Sequence, residues 1–450
     1  MKSIYLLLIL GLAASCFCGI GSGPVRSSGA PHEPFAINSK AGPACAGEVG
    51  YRIEGSSTWL FESETAPVSE HHIFLPVYPA ADYEYFVRAD GDSAGPFSFR
   101  TAPLPGDYVD FNFCAYGDTR TGLLAHHTVV DHIVGCDPMF VVHSGDIVDD
   151  GHDTGQWDTY FQELSEWHNI AQTASYFYAM GNHDDESPYF YDAVELPKNN
   201  PDSTEAYSSF DYGRIHFFSM NSEIAHDPAS PQYAFLEADL AEASANPDYD
   251  FLIGLVHRPF YSSGYHGREE DLAADLEPLL IANGVDLVLQ GHDHMYERIY
   301  PQEGVNYIVT GGGGAPPSPI FIWFDWTAFG YNLYHHLDCH YDATESKLSI
   351  YMHNYDDDVV DSLILEGTPV SVAETELPET KGIRAYPNPF NSACRIECPA
   401  EVGVYNLRGK LVKTLPAGAS TWSPIEDTPS GIYLLKTPED RRSASVVFLK

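Results

Sequence analysis

The chain has 450 residues, of which 44% are hydrophobic and 13% aromatic, a composition that excludes an intrinsically disordered protein and allows two or three packed domains. Its 23 basic and 64 acidic side chains give a formal net charge of −41. A surface of this sign repels nucleic-acid backbones and anionic lipid, so bulk electrostatic binding to either is excluded and no nucleic-acid partner is expected.

The N-terminus carries a short apolar run of the kind found in export signals. Lys2 precedes this run, residues 4–14, which is too short to span a bilayer. We therefore predict a signal peptide over residues 1–20 and an exported protein. Lipid attachment at Cys16 is the less favoured alternative, because the residues before it match a lipidation signal poorly. No later segment is apolar enough to predict a transmembrane helix.

Short alternating segments punctuated by Gly, Pro and Asp-Gly come next, at residues 48–53, 72–77, 83–89 and 96–100. This pattern predicts a small all-β sandwich over residues 35–103. The strings GEVGYRIEG and DYEYFVRADGDSAGPFSFRTAP are similar to those of fibronectin type III-like domains, and that resemblance implies the same fold here.

Beyond two prolines near residue 104, strands alternate with helices. Strands are predicted at 109–116, 139–142, 175–178, 215–220, 251–256, 286–289 and 307–309, with further β structure over 338–365. Helices are predicted at 123–133, 233–243 and 271–282, and apolar residues at helical spacing predict another near Trp157. The alternation predicts a layered α/β domain over residues 104–366, with its functional site at the carboxyl ends of the strands.

Residues 367–381 are rich in Glu, Thr and Pro and predict a linker. The last segment, residues 382–450, contains short strands and predicts a second small β sandwich. Its strings AYPNPFN, VGVYNLRGKLVKTL, PSGIYLLK and VVFLK resemble the C-terminal sorting domain of type IX secretion substrates. The resemblance implies export through the periplasm to the surface or medium, with the secretion machinery as a partner.

Four glycine-led strings place metal-ligand residues at the ends of predicted strands. They are Gly117-Asp118, Gly145-Asp146, Gly181-Asn182-His183-Asp184 and Gly291-His292-Asp293-His294, with Val256-His257 between the last two. Carboxylate, amide and imidazole groups form the mixed ligand set of a two-metal site, in which one carboxylate can bridge both ions. Each glycine lets the backbone turn sharply and approach the metals closely.

These motifs resemble those of the calcineurin-like metallophosphoesterases, and the β segment ahead of them resembles the purple acid phosphatase-like branch. The resemblance covers residues 47–365 and implies a layered αββα domain flanked by the two small β domains. It also implies that one metal is held by Asp118, Asp146 and His294. The second metal would then be held by Asp146, Asn182, His257 and His292.

The resemblance further implies the chemistry: a metal-bound hydroxide attacks the phosphorus of a phosphate ester in line. His183 would contact the phosphate or protonate the leaving group, with Asp184 orienting it. His266 would be a second histidine facing the phosphate. The expected cofactors are two divalent ions, and Mn, Zn and Fe all remain open.

Two positions depart from the family pattern. Asp149 stands where a tyrosine would bind the first metal, and Arg120 stands where many relatives have a histidine. The first metal site therefore lacks a ligand unless Asp149 or water completes it. Arg120 is expected either to hold the phosphate or to form an ion pair with the nearby acids.

The sequence thus predicts an exported, metal-dependent phosphatase acting on phosphomonoesters. A phosphodiesterase or nucleotidase using the same site is the alternative within the enzyme class. A cell-surface binding protein with a decayed catalytic core is the alternative outside it. The paired histidines His126 and His127 are predicted on a solvated helix face, without a role in the site.

Overall fold

The computed structural model describes residues 17–19, 34–89, 91–320, 322–367, 383–386, 392–398, 400–406, 410–425, 428, 431–437 and 443–448. The chain divides into two compact units, residues 1–369 and 370–450. Most of the predicted signal peptide and almost all of the predicted linker lie outside the described residues. Within the described part of the chain, no helix has the length and apolar character needed to cross a membrane.

The N-terminal strands are joined in one hydrogen-bonded sheet. They are β1 (Phe17–Gly19), β2 (Pro34–Ile53), β3 (Leu60–Pro76), β4 (Asp82–Ala89) and β5 (Asp92–Arg100). The long strand β2 pairs antiparallel with β1, β3 and β4, and its alternate side chains Ile37, Val49 and Tyr51 are buried. The fibronectin type III-like assignment of this region stays a prediction.

This sheet contacts the α/β region that follows it in the same unit. The Tyr85 hydroxyl donates to the main-chain oxygen of Gln172 over 3.1 Å, and His72 Nε2 donates to that of Asp192 over 2.9 Å. The Tyr85 ring is fully buried, so the contact is part of the packed interior. The first unit therefore includes the N-terminal sheet and the layers described next.

The α/β region follows the predicted alternation of strands and helices. Its helices are α1 (Leu123–Cys136), α2 (Thr154–Gln162), α3 (Pro188–Ala193), α4 (Pro231–Ser244) and α5 (Glu270–Ala282). Its strands are β6 (Phe111–Tyr116), β7 (Phe140–His143), β8 (Ser175–Tyr178), β9 (Ser208–Tyr212), β10 (Ile215–Ser219), β11 (Phe251–Val256), β12 (Leu287–Gln290), β13 (Tyr296–Gln302), β14 (Val305–Thr310), β15 (Thr327–Tyr331), β16 (His335–Asp342), β17 (Lys347–Asn354) and β18 (Val359–Glu366).

Two mixed sheets are formed by these strands. One has the order β18-β17-β16-β6-β7-β8, and the other has the order β15-β13-β14-β12-β11-β10-β9. Strands β6, β7 and β8 run parallel to one another, as do β10, β11, β12 and β14. Parallel strands of one sheet deliver their carboxyl ends to the same edge, which is where ligands bind in such folds.

The two sheets pack face to face, and each is covered by helices on its other side. One apolar cluster joins Phe113 and Val141 of the six-stranded sheet to Phe217 and Ile253 of the seven-stranded sheet. The same cluster includes Val130 of α1 on the outer face of the six-stranded sheet. A second cluster seats α4 and α5 on the outer face of the seven-stranded sheet, through residues that include Leu236, Leu276 and Val288. The layering is the predicted αββα arrangement.

Local sequence signals fix the ends of the helices. The Ser230 hydroxyl accepts from the Tyr233 amide over 3.1 Å, and Pro231 occupies the first turn of α4. The Asp153 carboxylate accepts from the Gly155 amide over 2.9 Å at the start of α2. Beyond Gln162, α2 continues as one π-helical turn, Glu163–Trp167, of the kind often found at functional sites.

The second unit, taken by itself, is a small β sandwich, as predicted. Its strands are β19 (Arg384–Tyr386), β20 (Cys394–Cys398), β21 (Val402–Asn406), β22 (Leu411–Leu415), β23 (Gly418–Trp422), β24 (Gly431–Lys436) and β25 (Ser443–Phe448). They form the sheets β19-β20-β23 and β22-β21-β24-β25. One apolar core joins both sheets and includes Ile396, Val404, Trp422 and Leu435.

Candidate metal centre

The candidate ligands meet at the boundary between the two sheets. Asp118, Asp146 and Asn182 follow β6, β7 and β8 of the six-stranded sheet. His257 follows β11 of the seven-stranded sheet, and His292 and His294 follow β12. The carboxyl ends of five parallel strands therefore bring together residues that are far apart in the chain.

One half of the site is built around the His257 ring. Its Nδ1 donates to the main-chain oxygen of Ser144 over 2.9 Å, which leaves the lone pair on Nε2. That Nε2 lies 3.0 Å from Asn182 Oδ1, 3.1 Å from His292 Nδ1 and 3.2 Å from Asp146 Oδ1. We call these four residues the second half-site. Their converging nitrogen and oxygen atoms form a set that suits a transition-metal ion.

The other half contains Asp118, Asp146 and His294, which we call the first half-site. Ligand atoms of these three residues all lie within 4.8 Å of one another, and all three side chains are buried. His294 Nδ1 donates to the main-chain oxygen of Pro316 over 2.9 Å, so its Nε2 carries the lone pair. Asp146 belongs to both half-sites, as a bridging ligand must.

In both Asp118 and Asp146, one carboxylate oxygen accepts a hydrogen bond from the backbone and the other oxygen accepts none. Asp118 Oδ2 accepts from the His292 amide over 3.0 Å, and Asp146 Oδ1 accepts from the His183 amide over 2.9 Å. Asp118 Oδ1, Asp146 Oδ2 and His292 Nε2 are buried without a hydrogen-bond partner. Buried polar atoms of this kind are costly unless something fills the site. The donor set and its unpaired atoms fit a pair of metal ions.

The backbone at the ligands is held in an unusual conformation. Asp118, Asp146 and His292 have φ values of 58°, 54° and 71°, which costs on the order of 1 kcal/mol each for a residue with a side chain. A Cβ on Gly181 would lie 2.4 Å from Asp146 Oδ1, and one on Gly311 would lie 2.7 Å from Asp118 Oδ2. Glycine is therefore required where the chain passes closest to the carboxylates.

Burial and neighbouring charges set the ionisation of the centre. Burial, followed by the Asp146 carboxylate, raises the pKa of Asp118 well above its ordinary value. Burial lowers the pKa of His292, and burial together with the Arg120 charge lowers that of His294 to about 4. The imidazoles are therefore neutral near pH 7, the form that binds a metal.

Arg120 lies inside the first half-site, and its guanidinium is paired with protein groups. Its Nε lies 3.4 Å from Asp146 Oδ2, and its terminal nitrogens donate to His294 Nε2 and His183 Nε2. Arg120 was expected either to hold the phosphate or to form an ion pair with the nearby acids. The structure shows the ion pair, with Asp146. The guanidinium also contacts the nitrogen that would bind the first metal.

Asp149 stands outside both half-sites. Its carboxylate is partly exposed, and Oδ1 lies 3.8 Å from Arg120 and 3.8 Å from His183 Nδ1. The structure places this carboxylate beside Arg120 and His183 and outside the ligand group. A role for Asp149 as a metal ligand stays a prediction.

Asp184 does not orient His183, and the prediction that it does is corrected. The carboxylate is fully buried and accepts from the amides of Asp146, Ile147, Val148 and Gly181. Because its oxygens are taken by backbone amides, Asp184 fixes the loop that carries Asp146. Burial and the Asp146 carboxylate raise its pKa, whereas the amide hydrogen bonds oppose that shift.

His183 is oriented by the backbone of a neighbouring loop. Its Nδ1 donates to the main-chain oxygen of Asp149 over 2.7 Å, and its Nε2 accepts from Arg120. The ring is about one-third exposed, so a substrate could reach it. It belongs to the centre without contributing to either half-site.

His266 lies beside the second half-site. Its ring centroid is 3.8 Å from that of His292, and its amide donates to Asp293 Oδ1 over 2.9 Å. Burial lowers the pKa of His266. The structure thus brings the ring beside His292, and the phosphate-facing role that the resemblance implies for His266 stays a prediction.

Sequence reasoning missed the groups that fix these rings. Asp293 accepts from the Ser262 hydroxyl and from the amides of His266 and Gly267, so it anchors the loop that carries His266. Strand alternation offered no signal for this role, because residues 291–294 lie beyond the end of β12 and His292 has a φ of 71°. The carbonyl groups of Ser144 and Pro316 left no signal in the sequence.

Two family models match the chain. Residues 111–296 match the calcineurin-like phosphoesterase family, and residues 384–448 match the secretion system C-terminal sorting domain. The first match spans the region that carries the candidate ligands. The second match confirms the predicted sorting domain and, with it, the prediction of export.

Curated relatives are plant acid phosphatases. Purple acid phosphatase 18 of Arabidopsis thaliana is 30% identical over 310 residues, covering 64% of this chain and 66% of that protein. Purple acid phosphatase 21 of the same plant is 29% identical over 266 residues, covering 54% and 58%. The chain thus spans less than two thirds of the length of each of these relatives. A third, probable inactive purple acid phosphatase 9, is 28% identical over 197 residues and covers 36% of this chain and 30% of that one.

Solved structures agree on the fold. The purple acid phosphatase PPD1 from yellow lupin (Lupinus luteus) seeds superposes with a TM-score of 0.68 at 19% identity, covering 78% of this chain and 74% of that one. The structure of PhoD superposes with a TM-score of 0.60 at 11% identity, covering 78% and 90%. At these identities the superpositions establish the shared architecture.

Proposed function

We propose that this chain is an exported phosphatase that uses two divalent metal ions to hydrolyse phosphomonoesters, and the match of residues 111–296 to the calcineurin-like phosphoesterase family supports this proposal. The observation that carries the proposal is the pair of half-sites that share Asp146. Their unpaired buried carboxylate atoms, Asp118 Oδ1 and Asp146 Oδ2, are what a metal pair would satisfy.

Asp118, Asp146 and His294 would hold one ion, and Asp146, Asn182, His257 and His292 would hold the other. Once bound, such a pair lowers the pKa of water and neutralises charge on a phosphoryl group. The mixed nitrogen and oxygen donors suit Mn, Zn or Fe. The Ser144 and Pro316 carbonyl groups would keep His257 and His294 in the tautomer that presents Nε2 to the ions.

Arg120 would hold the phosphate group. A guanidinium offers planar, paired donors to phosphate oxygens, and Arg120 already lies among the candidate ligands. To reach a substrate it would exchange its hydrogen bonds with His183 and His294 for bonds to phosphate. The partly exposed Asp149 carboxylate would then balance its charge.

His183 would donate a proton or hydrogen bond to the leaving-group oxygen from Nε2. The bond from Nδ1 to the Asp149 carbonyl fixes the direction in which Nε2 points. Release of Arg120 to the phosphate would free Nε2 of His183 for this contact with the leaving group. His266, stacked beside His292, would contact the phosphate from the other half-site.

A monoester is favoured over a diester by the relatives, whose names describe phosphatases. A phosphodiesterase or nucleotidase would use the same groups and is the alternative within this class. The sorting domain at residues 384–448 supports delivery by the secretion machinery to the surface or medium, where such an enzyme would meet external phosphate esters.

A panel of phosphomonoesters and phosphodiesters, assayed on metal-reconstituted full-length protein, tests the proposal. The Asp146→Asn variant should lose both turnover and metal, because Asp146 serves both half-sites. Asp92→Asn, on the exposed strand β5, is the matched control and should match the parent. An Asp146→Asn variant within roughly tenfold of the parent rate would refute the bridging role.

A non-catalytic surface protein is the second candidate, and one observation favours it. The Arg120 guanidinium contacts the first half-site nitrogen that would bind a metal, and one relative is named as probably inactive. Elemental analysis separates the two candidates. A decayed centre would retain fewer than two ions that depend on Asp146 and would hydrolyse none of the panel, whereas the proposed enzyme retains two such ions.

A further inference from the structure

Away from the candidate metal centre, two histidines and a glutamate converge near the protein surface. His127 Nδ1 and His168 Nε2 each lie 2.7 Å from Glu163 Oε1. The two ring nitrogens are 3.1 Å from each other. The first histidine is on α1, and the other two residues come from the π-helical turn after α2 and the residue that follows it. Three potential ligand atoms thus surround one point.

Glu163 is the unusual member of this group. Its side chain is fully buried, and its second oxygen, Oε2, is buried without a hydrogen-bond partner. A buried carboxylate is costly unless it is paired with positive charge and its oxygens are satisfied. Among the described residues, the only side chains that contact Oε1 are the two imidazoles, so a positive charge here has to come from an added proton or an added cation.

A fourth residue orients one of the histidines. Asp131 Oδ1 lies 3.0 Å from His168 Nδ1, on the side of the ring opposite Glu163. In metal sites, a carboxylate that accepts from one ring nitrogen typically fixes the tautomer that presents the other nitrogen to the ion. Asp131 and His127 are four residues apart on α1 and therefore share one helix face.

We propose that His127, Glu163 and His168 form a second metal site that takes a divalent ion of the zinc class, with Asp131 as the positioning residue for His168. Two imidazoles and a carboxylate form a common zinc ligand set, and water would complete the coordination. The His127 side chain is 42% exposed, which leaves that side open to solvent and to the ion.

The distances agree with this assignment after a small adjustment. Ligands at about 2.0 to 2.1 Å from a tetrahedral zinc ion are roughly 3.3 Å apart. The three atoms here need to separate by a few tenths of an ångström. The partly exposed His127 ring can lengthen its own two distances, whereas the buried His168 and Glu163 side chains would have to move apart on binding. The ion would tie α1 to the turn after α2 and would stabilise the folded chain by mass action.

The site is distinct from the candidate metal centre, because it uses other residues on the helical layer of the six-stranded sheet. The alternative to a metal ion is an added proton, which would make His168 an imidazolium between Asp131 and Glu163. Only a metal ion would raise the metal content of the protein and quench nearby tryptophan emission. These two measurements therefore distinguish the metal ion from the proton.

Metal content gives the first test. Full-length protein is stripped with a chelator, reconstituted with zinc, freed of excess metal and assayed by elemental analysis. The His127→Gln variant should hold one zinc fewer per chain than the parent, and Asp131→Asn should bind that zinc about 10- to 100-fold more weakly. His226→Gln, whose histidine pairs with Asp275 elsewhere, is the matched control and should equal the parent.

Tryptophan fluorescence gives a test that does not depend on counting ions. The Trp167 ring lies 6.1 Å from that of His127, so Ni²⁺ at this site should quench its emission. The Trp167→Phe and His127→Gln variants should both lose this quenching, with the remaining emission showing that each is folded. Equal zinc content in His127→Gln and parent, or equal quenching in Trp167→Phe and parent, would overturn the proposal in favour of the proton.

Discussion

The Nε atom of Arg120 lies 3.4 Å from Asp146 Oδ2, so a permanent positive charge stands beside the carboxylate that is shared by the two half-sites. At the effective dielectric constant of a protein surface, two unit charges about 4 Å apart interact by roughly 4 kcal/mol. The guanidinium therefore opposes a cation in the first half-site and leaves the second half-site less affected.

Replacing Arg120 should accordingly change metal binding in one half-site. We expect Arg120→Ala to bind its weaker Mn²⁺ ion at least about tenfold more tightly than the parent, with the tighter ion little changed. Isothermal titration calorimetry measures both constants. Arg88→Ala, which removes a surface arginine paired with Glu48, controls for the change in net charge. If both Mn²⁺ dissociation constants were the same in Arg120→Ala and the parent, Arg120 would not compete with metal binding.

His183→Ala should separate chemistry from metal binding. The ring is held by the Asp149 carbonyl and belongs to neither half-site, so metal content should stay at the parent level. Turnover should fall by about 10² to 10⁴, the usual effect of removing a proton-transfer group. His152→Ala, an exposed histidine paired with Asp185, is the control. Loss of metal from His183→Ala would instead make His183 a ligand.

Iron-loaded protein should lack the purple colour that a ferric phenolate would produce. Asp149 occupies the position of the expected tyrosine. Tyr296, close after His294, is buried and donates its hydroxyl to Asp361 over 2.9 Å. Visible absorption of protein reconstituted with ferric iron measures this. A strong band that disappears in Tyr296→Phe would show that this ring leaves Asp361 and reaches the metal.

The buried His216 should make folding stability depend on pH. Burial would lower its pKa, but hydrogen bonds to Asp211 and Asp239, over 2.7 and 2.9 Å, raise it from 6.5 to about 9. A folded-state pKa above the unfolded value stabilises the protein below pH 6.5, and this stabilisation is lost as pH rises through about 9.

The shift of about 2.5 pH units corresponds to a stabilisation on the order of 3 kcal/mol. Urea unfolding at pH 6, 8 and 10 should therefore show the free energy of unfolding falling across this window. In His216→Gln, the part of the slope due to this histidine should disappear. An identical slope in parent and variant would mean that His216 is neutral in the folded protein.

Truncation should separate catalysis from delivery. Residues 370–450 form their own compact unit, and none of the candidate ligands lies there. A chain ending at Glu379 should fold and hydrolyse phosphate esters at close to the full-length rate, but in the native host it should remain in the periplasm. Activity assays and cell fractionation measure the two outcomes. A folded but inactive truncate, or one delivered normally, would contradict this separation of roles.

The strand-end motifs made the ligand positions predictable from the sequence. A short buried strand such as β8 or β11 is a continuous apolar run, and both have the bounds predicted for them. Glycine before Asp118, Asp146, Asn182 and His292 indicated where the chain turns. The order of motifs along parallel strands then implied that their ends meet, which the His257 and Asn182 contact bears out.

Groups that act through the backbone were not predictable in the same way. The sequence places Asp184 next to His183, but the fold turns its carboxylate towards amides from two different loops. His126 and His127 were both predicted on a solvated face. The prediction is wrong for His126, which is buried and stacks on Tyr160. His127 is partly exposed, but its contact with Glu163 was not predictable because it depends on how α1 packs against α2.

The division of ligands between the two sheets has a consequence for the order of assembly. The residues from Asp118 to Asn182 are presented by one sheet, and those from His257 to His294 by the other. Neither sheet can gather a full ligand set alone, so the centre can form only after the sheets have docked. Contacts between residues so distant in the chain are slow to form during folding. Metal uptake would therefore follow docking of the two sheets. A molecule that has bound both ions would be one in which the sheets have docked.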